Sequence, residues 1–452
     1  MRIVAGGASD WSDPALLEHL GRAAAALSRA EDPSRIASVG RLLSALLGSF
    51  SVLLLWRLLR EAVPSKYALF GATVAAVSPL AVIPAHYFAP DVLVLLFGLT
   101  AVCCLVRVLE REETAWRIAL GVIIGLAVSS HYGGVLLVLL CAATPLVATV
   151  PDRRAYMKKM GPVAGIAVLV FAALNASLFL DPQQLLTGPW IQLRRLAGGD
   201  HLHVGATANG AIFHLGRNLL PGLTAPVLLI AAAGFVIAMR RRADLPNAAR
   251  VSFLYGALAY AVAELSPLKP LPGSLRYVLP VLPAVAMGTA LAFQALEDRV
   301  RPGAFGWLPA AVMVTVLAFP ALRSLHIVEG LSDDSRTRAD AWIAANAGRT
   351  LREPYSSAAP ADFATLTSVD LDAARRGGVT HVATSSFVYD TFARGSRLAT
   401  QNDYVYQRHE RYQELFEYPY EEFAPDGPTL GWSNPTVRVL DIREPRPPGR
   451  PD

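Results

Sequence analysis

The sequence predicts an α-helical polytopic membrane protein of about ten spans, with a small extracytoplasmic α/β domain at its C-terminus. Three observations predict it. Of 452 residues, 53% are hydrophobic and only 17% charged, whereas a soluble domain carries roughly 25% charge. The apolar residues come in runs near the about 20 that cross a bilayer. Those runs stop near residue 325, where charge rises and short helix and strand periodicities take over.

The net charge of +5 is not a nucleic-acid signature, because Arg and Lys gather in a few short loops. No nucleic-acid partner is expected. Cys103, Cys104 and Cys141 all lie within apolar runs. Neither a disulfide framework nor a metal-type spacing follows from them.

Residues 1–35 form a polar, alanine-rich N-terminal segment without the basic-then-apolar order of a signal peptide. The membrane domain is expected over 36–325. Its spans read as 36–59, 67–84, 92–108, 118–130, 133–150, 162–180, 222–239, 251–265, 277–293 and 307–325. Loop charge orients them. Arg57, Arg60 and Lys66 share one loop, Arg107, Arg111 and Arg117 another. Arg153, Arg154, Lys158 and Lys159, then Arg240 to Arg242 with Arg250, then Arg299 and Arg301, follow at every second loop. The intervening loops are poor in Lys and Arg, so the basic set faces the cytoplasm. Residues 1–35 then lie outside, ahead of an inward-running span, and a further span is expected upstream of Met1.

The long outer loop 181–221 carries amphipathic patches at 185–196 and 212–220, expected to lie on the membrane surface. His201 and His203 lack an acidic or Cys partner nearby, so a solvated loop accounts for them better than a metal site. After 325, helices are expected at 336–345, 369–376, 387–393 and 403–417. A β-rich stretch at 380–386 and a terminal strand at 435–442 complete an α/β domain over 326–442. The Pro/Arg-rich tail 443–452 reads as disordered.

Candidate chemistry sits at the outer mouths of the spans. His86 and Asp91 share the loop between the second and third spans, and Pro90 suits the first turn of the next helix. Asp91 then falls where the helix dipole favours a carboxylate. His131 stands with Tyr132, and Arg276 with Tyr277. A carboxylate, an imidazole and a guanidinium on one side of the membrane would suit a phosphate-bearing lipid donor, since Arg binds phosphate in a fork. A helix-capping acid and separate interfacial anchors account for the same residues from position alone.

Several stretches, in order, resemble the GT-C membrane glycosyltransferases that use polyprenyl-phosphate sugars, the protein O-mannosyltransferase and lipid A aminoarabinose transferase type. Gly40-Arg41 to Gly48 resembles the start of that family's second span. His86-Tyr87-Phe88-Ala89-Pro90-Asp91 resembles its H-aromatic-x-x-P-D loop, and Gly125 to Gly133 its GLA-x-x-x-K-Y stretch. Arg276-Tyr277-Val278-Leu279-Pro280 resembles its RY-L-P motif. Ser335 to Ile343 resembles its TR-x-x-A-x-x-W-I helix, and Tyr412 to Phe416 with Gly427-Pro428 also fits.

The resemblance implies an inverting transfer of a sugar from a polyprenyl-phosphate carrier to a glycan, lipid or protein acceptor, outside the plasma membrane. It implies an acidic base in the first outer loop, for which Asp13 is the nearest match, and an assisting acid at Asp91. It implies substrate-binding roles for His86, His131, Tyr132, Arg276 and Tyr277. His131 stands where the family has Lys, and a neutral imidazole holds phosphate less well. No cofactor is required by the sequence, and a divalent cation is left open. Two other classes stay open: an inactive GT-C-like protein that binds lipid carrier or a partner, and a secondary transporter. The transporter is disfavoured because the ionisable residues sit at span mouths rather than mid-span.

The loop-charge alternation predicts the side of the C-terminus. A phosphatase fused there should be active, as it is only outside the cytoplasm. Fluorescence from a cytoplasm-dependent reporter at that position would overturn the orientation.

Overall fold

The computed structural model describes residues 16, 19–20, 33–87, 90–111, 113–176, 203–205, 212–265, 268–270, 275–300, 306–353, 355–357, 364, 366, 369–393, 410–427, 429–430 and 434–444. Helix α1 spans Pro33–Leu59, α2 Ser65–Val77, α3 Pro79–Ala85, α4 Asp91–Glu110 and α5 Thr114–Ser130. Then come α6 at Leu136–Ala143 and α7 at Arg153–Leu174, with strand β1 at His203–Gly205. A π-helical turn at Leu215–Leu219 leads into α8 at Leu220–Leu223 and α9 at Ala225–Arg240. Helix α10, Asn247–Leu265, precedes strand β2 at Leu268–Pro270. Helices α11, Leu282–Arg299, and α12, Leu308–Ser332, complete the bundle.

Among the described residues, six helices are long and apolar enough to cross a membrane. Two bent pairs and two shorter apolar helices, Thr114–Ser130 and Gly133–Leu146, account for the other expected spans. Both bends have local causes. Between α2 and α3 the axis turns by 57° at Ser78, which lies in extended conformation before Pro79. A residue ahead of proline is driven out of the helical region, so the break is written into Ser-Pro. Between α8 and α9 the turn is 101°, and Thr224 sits there at φ +74° ahead of Ala225-Pro226.

The tightest helix contact is α9 on α11. A Cβ built on Gly234 would fall 1.8 Å from the carbonyl oxygen of Gly288, and one on Gly288 2.6 Å from that of Ala231. Backbone lies on backbone here. Lipid gives apolar side chains no reason to hide, so close packing of small residues is what holds membrane helices together. At the end of the bundle away from Asp91, Glu61 takes Arg57 and Arg107, both at 2.6 Å, and Lys66 meets Glu297 at 2.7 Å.

The sequence placed the last span at 307–325, but α12 runs on to Ser332, and the soluble elements begin with α13, Ser335–Asn346. Strand β3, Arg349–Arg352, and helix α14, Leu371–Arg376, follow. Then come β4, Val379–Ser385, α15, Ser386–Ala393, β5, Tyr420–Phe423, and β6, Val437–Asp441. The sheet order is β3-β4-β6-β5, with β3 and β4 parallel and the other pairs antiparallel. Period-two alternation splits its core. Val382 and Leu440 pack with Tyr412 and Leu415 on one face, while Ala383, Val437 and Val439 pack with Ala339 and Ile343 of α13 on the other.

Strands β3 and β5 were not expected. They are the two edge strands, and their charged sequences, Arg-Thr-Leu-Arg and Tyr-Glu-Glu-Phe, carry little alternation. Nor was the antiparallel pairing of β1 with β2, which ties together two loops on opposite sides of α10 in the chain. Of the helix expected at 403–417, the described part is helical from 410 to 415. The patch expected at 185–196 lies outside the described residues. The patch at 212–220 is a helical turn of π type rather than a regular surface helix.

Gly234→Val should force α9 and α11 apart and cost about 1–3 kcal/mol, as overpacking does. The check is the fraction of detergent-solubilised protein that stays monodisperse on heating. Gly161→Val, where a Cβ meets nothing within 4 Å, is the control and should behave as the parent.

Candidate active site at the Asp91 end of the bundle

The site forms where α4 begins. Asp91 is its first residue, preceded by Pro90 at the N-cap. A capping acid would accept backbone N–H groups. Among the described residues Asp91 accepts none, and it turns instead to Arg276. The Arg276 Nε lies 3.3 Å from Asp91 Oδ1, with the carboxylate side chain 5% exposed and the guanidinium 35% exposed. The second carboxylate oxygen, Oδ2, is buried without a hydrogen-bond partner among the described residues. A buried charged oxygen left so is costly unless another group completes it.

Arg276 is placed by a 3-10 turn, Leu275–Tyr277, that continues through the prolines of a second turn, Leu279–Val281, into α11. Leu275 is buried against α8, where Gly222 approaches it and Leu80 of α3. The Arg-Tyr pair is thereby held against the broken second span. The Tyr277 ring lies 6.0 Å from the imidazole of His214.

The two other histidines are fixed in opposite ways. His86 caps α3, and its Nδ1 lies 2.8 Å from the Val82 carbonyl oxygen. A carbonyl only accepts, so Nδ1 carries the hydrogen and Nε2 keeps the lone pair in the neutral ring. His131 caps the 3-10 turn Tyr132–Val135, and its Nδ1 accepts the Gly133 N–H at 2.9 Å. There the neutral ring carries its hydrogen on Nε2, as a donor. Asp13 and the side chain of Tyr132 lie outside the described residues.

The site includes residues the sequence did not single out. His214, within the 212–220 patch expected on the membrane surface, is 1% exposed. Its backbone N–H donates to Glu264 Oε1 at 2.8 Å, and its Nδ1 is bonded by the Asn218 side-chain amide. Glu264 is itself 9% exposed, on the last turn of α10. An acid inside an apolar run was the available signal for Glu264. No periodicity could have shown that His214 and Asn218 fold inward on a π-helical turn.

A cavity of about 750 Å³ includes His86 in its lining but neither Asp91 nor Arg276. Its floor is small and apolar, with Ala45, Gly48, Ala81 and Ala85, and its rim holds Arg41, His86, Tyr87 and Asp334. Val92 and Leu279, which follow Asp91 and the Arg276 turn in the chain, also line it. The rim is closed by the α/β domain. Asp334 holds Arg336 through Nε at 2.8 Å, and Arg336 Nη2 reaches the Tyr87 hydroxyl at 3.4 Å. Burial pushes the Tyr87 phenol above its usual range, and the Arg336 guanidinium draws it partly back. Asn434 fixes the joint, accepting from Ser335 N at 2.8 Å and donating to Gly330 O at 2.6 Å. Among the described residues no group of three or more His, Cys, Asp or Glu is arranged to hold a metal ion.

Glu264→Leu removes the acceptor of a buried N–H and should cost about 1–3 kcal/mol. Glu264→Gln keeps an acceptor oxygen and should lose less than half of that. Melting temperatures of the two variants in detergent check the order.

Residues 35–178 match the family model described as dolichyl-phosphate-mannose-protein mannosyltransferase. No curated protein matches the chain in sequence. The oligosaccharyltransferase of Archaeoglobus fulgidus in its apo form superposes with a TM-score of 0.55 at 13% identity, over 94% of this chain and 66% of that one. This chain therefore spans slightly less than two thirds of the archaeal protein. ArnT from Cupriavidus metallidurans in the apo state superposes with a TM-score of 0.54 at 14% identity, over 97% of this chain and 91% of ArnT. ArnT bound to undecaprenyl phosphate gives 0.52 at 13% identity, over 95% and 88%. With a helical bundle of apolar spans and an α/β domain at its end, the chain shares the fold of these membrane proteins.

Proposed function

We propose that the protein is a glycosyltransferase that moves a sugar, with inversion, from a polyprenyl-phosphate carrier to a glycan, lipid or protein acceptor at the extracytoplasmic face of the plasma membrane. The observation that carries this reading is the Asp91–Arg276 pair, a buried acid and a part-exposed guanidinium at the mouth of an apolar bundle. Its chemistry suits a donor with an anionic head and an apolar tail. Support comes from the family-model match and from ArnT, a fold neighbour that binds undecaprenyl phosphate.

In this reading Arg276 holds the carrier phosphate as the glycosidic bond breaks and charge gathers on the leaving oxygen. Its side chain is part-exposed and meets Asp91 through Nε. Asp91 fixes that orientation, and its second oxygen is placed to receive a hydroxyl of the incoming sugar or acceptor. His131 and Tyr277 serve the donor side of the site. The α/β domain, resting on Tyr87, covers the acceptor side of the cavity.

The test is transfer of radiolabelled sugar from undecaprenyl phosphate loaded with mannose, glucose or aminoarabinose, in native membranes. The parent should transfer one of them. Asp91→Asn keeps the shape without the charge and should lower turnover by about 100-fold or more at equal protein level. Arg276→Lys keeps the charge without the planar fork and should raise the donor KM. A parent that binds undecaprenyl phosphate but transfers none of the three sugars would favour a carrier-binding protein without turnover.

A further inference from the structure

We propose that the groove between α6 and α7 binds one phospholipid of net negative charge, with its head on Arg153, Arg154 and Lys158 and an acyl chain in the groove. The site is separate from the Asp91–Arg276 pair and stands whether or not the chain transfers a sugar.

The groove is apolar, and its walls are fixed. It encloses about 520 Å³, lined by Ile124 of α5, Cys141 of α6, and Met157, Gly161, Ala164 and Phe171 of α7, among others. Helix α5 packs on α7 so closely that a Cβ on Gly121 or Gly125 would fall 2.8 Å from the carbonyl oxygen of Val163 or Ala167. The Tyr156 hydroxyl ties α7 to α6 by donating to the Cys141 carbonyl at 2.8 Å. Helix α10 holds the loop between them: Arg250 Nη1 donates to Val147 O at 3.0 Å, and Asn247 Oδ1 accepts the Thr149 N–H at 3.2 Å. From Met157 to Phe171 the lining runs about 21 Å along α7 at 1.5 Å per residue. That exceeds the roughly 15 Å depth of one leaflet, so an acyl chain fits lengthwise.

The same stripe of α7 continues into charge. Arg153 and Arg154 lie four and three residues before Met157, and Lys158 lies three before Gly161, the spacings that make neighbours on a helix surface. All three are exposed, and none makes an ion pair among the described residues. Asp152, next to them in the chain, spends its Oδ1 on the N–H groups of Arg154 and Ala155, at 2.8 and 3.1 Å. The head must decide the occupant, because a lipid tail gains no hydrophobic free energy in passing from the bilayer to a protein groove. Three cations without a counter-charge select a net anionic head over a zwitterionic one. They do not suit the polyprenyl-phosphate carrier, whose head belongs at Arg276. Helices α5 and α7 run parallel, Gly121 meeting Val163 and Gly125 meeting Ala167, so Arg153 lies at the end of the bundle away from Asp91. Loop charge orients that end to the cytoplasmic leaflet, where anionic phospholipids are concentrated.

The experiment is native mass spectrometry of the purified, delipidated full chain, with melting temperatures alongside. Phosphatidylglycerol, phosphatidylcholine or undecaprenyl phosphate is added in detergent. Phosphatidylglycerol should saturate at one per chain, raise the melting temperature, and bind about tenfold more tightly than phosphatidylcholine at low salt, the gap narrowing as salt rises. Arg153→Gln, Arg154→Gln and Lys158→Gln together should erase the preference, whereas Arg153→Lys with Arg154→Lys should keep it. Ala164→Trp, which fills the groove from an exposed position, should lose the one-per-chain adduct while its delipidated form melts as the parent does. Equal binding of the two phospholipids would overturn the site. So would a preference that survives the three Gln replacements, or a folded Ala164→Trp that keeps its adduct. Displacement of phosphatidylglycerol by an equimolar amount of undecaprenyl phosphate would assign the groove to the carrier and overturn the phospholipid site as well.

Discussion

A carboxylate at the head of a membrane span is tolerable only if a cation meets it. Asp91 is 4% exposed, and among the described residues only Arg276 answers it. This one requirement organises the Asp91 end of the bundle. It draws the turn before α11 onto the start of α4, two segments far apart in the chain. It also needs the second span to break at Ser78-Pro79, because α3 must lean aside for Leu275 and Gly222 to pack against Leu80. The opposite end is held by ordinary part-exposed ion pairs around Glu61 and Glu297, which are worth little individually. The bundle is thus pinned tightly at one end, where the unusual polar groups are.

The α/β domain is joined to that end through polar contacts around Asp334 and Asn434. Asp334 serves three purposes at once: it caps α13 through the Arg336 N–H, grips the Arg336 guanidinium, and borders the cavity. Arg336 passes the contact on to Tyr87. Asn434, at φ +49°, spans the joint by bonding both Gly330 and Ser335. Inside the domain, the buried Glu353 takes hydroxyls from Tyr412 and Thr384, each at 2.5 Å, so the sheet and the helical turn at 410–415 share one carboxylate. A domain fastened in this way can hold the Tyr87 loop still without owning the residues beneath it.

Much of this was legible in the chain alone. Run length gave the spans, because a bilayer imposes one length on every helix that crosses it. Pro90 gave the start of the third span, because proline suits a helix's first turn, whereas the break at Pro79 inside the span expected over 67–84 was not foreseen. The Arg-Tyr and His-to-Asp motifs gave Arg276 and Asp91 as candidates. The helix at 336–345 and the strand at 380–386 showed their periods because one face of each is buried. The edge strands β3 and β5 did not, because half of their surroundings is solvent and their residues follow suit.

What the sequence determined by itself is therefore local or one-dimensional: how long each apolar run is, where a proline interrupts it, and which residues are able to ionise. Only the tertiary structure decided which ionisable groups meet. That Asp91 faces Arg276 rather than capping its own helix depends on two turns from distant parts of the chain arriving at one point. That His214 is buried against Glu264, and not on a membrane-surface patch, depends on the π-helical turn that follows it meeting the end of α10. The hydrogen on His86 sits on Nδ1 because a carbonyl one turn back accepts it, and that on His131 sits on Nε2 because a backbone N–H claims the other nitrogen. Both residues are written His in the chain, and hydrogen-bond geometry, which sequence does not carry, makes one a donor and the other an acceptor.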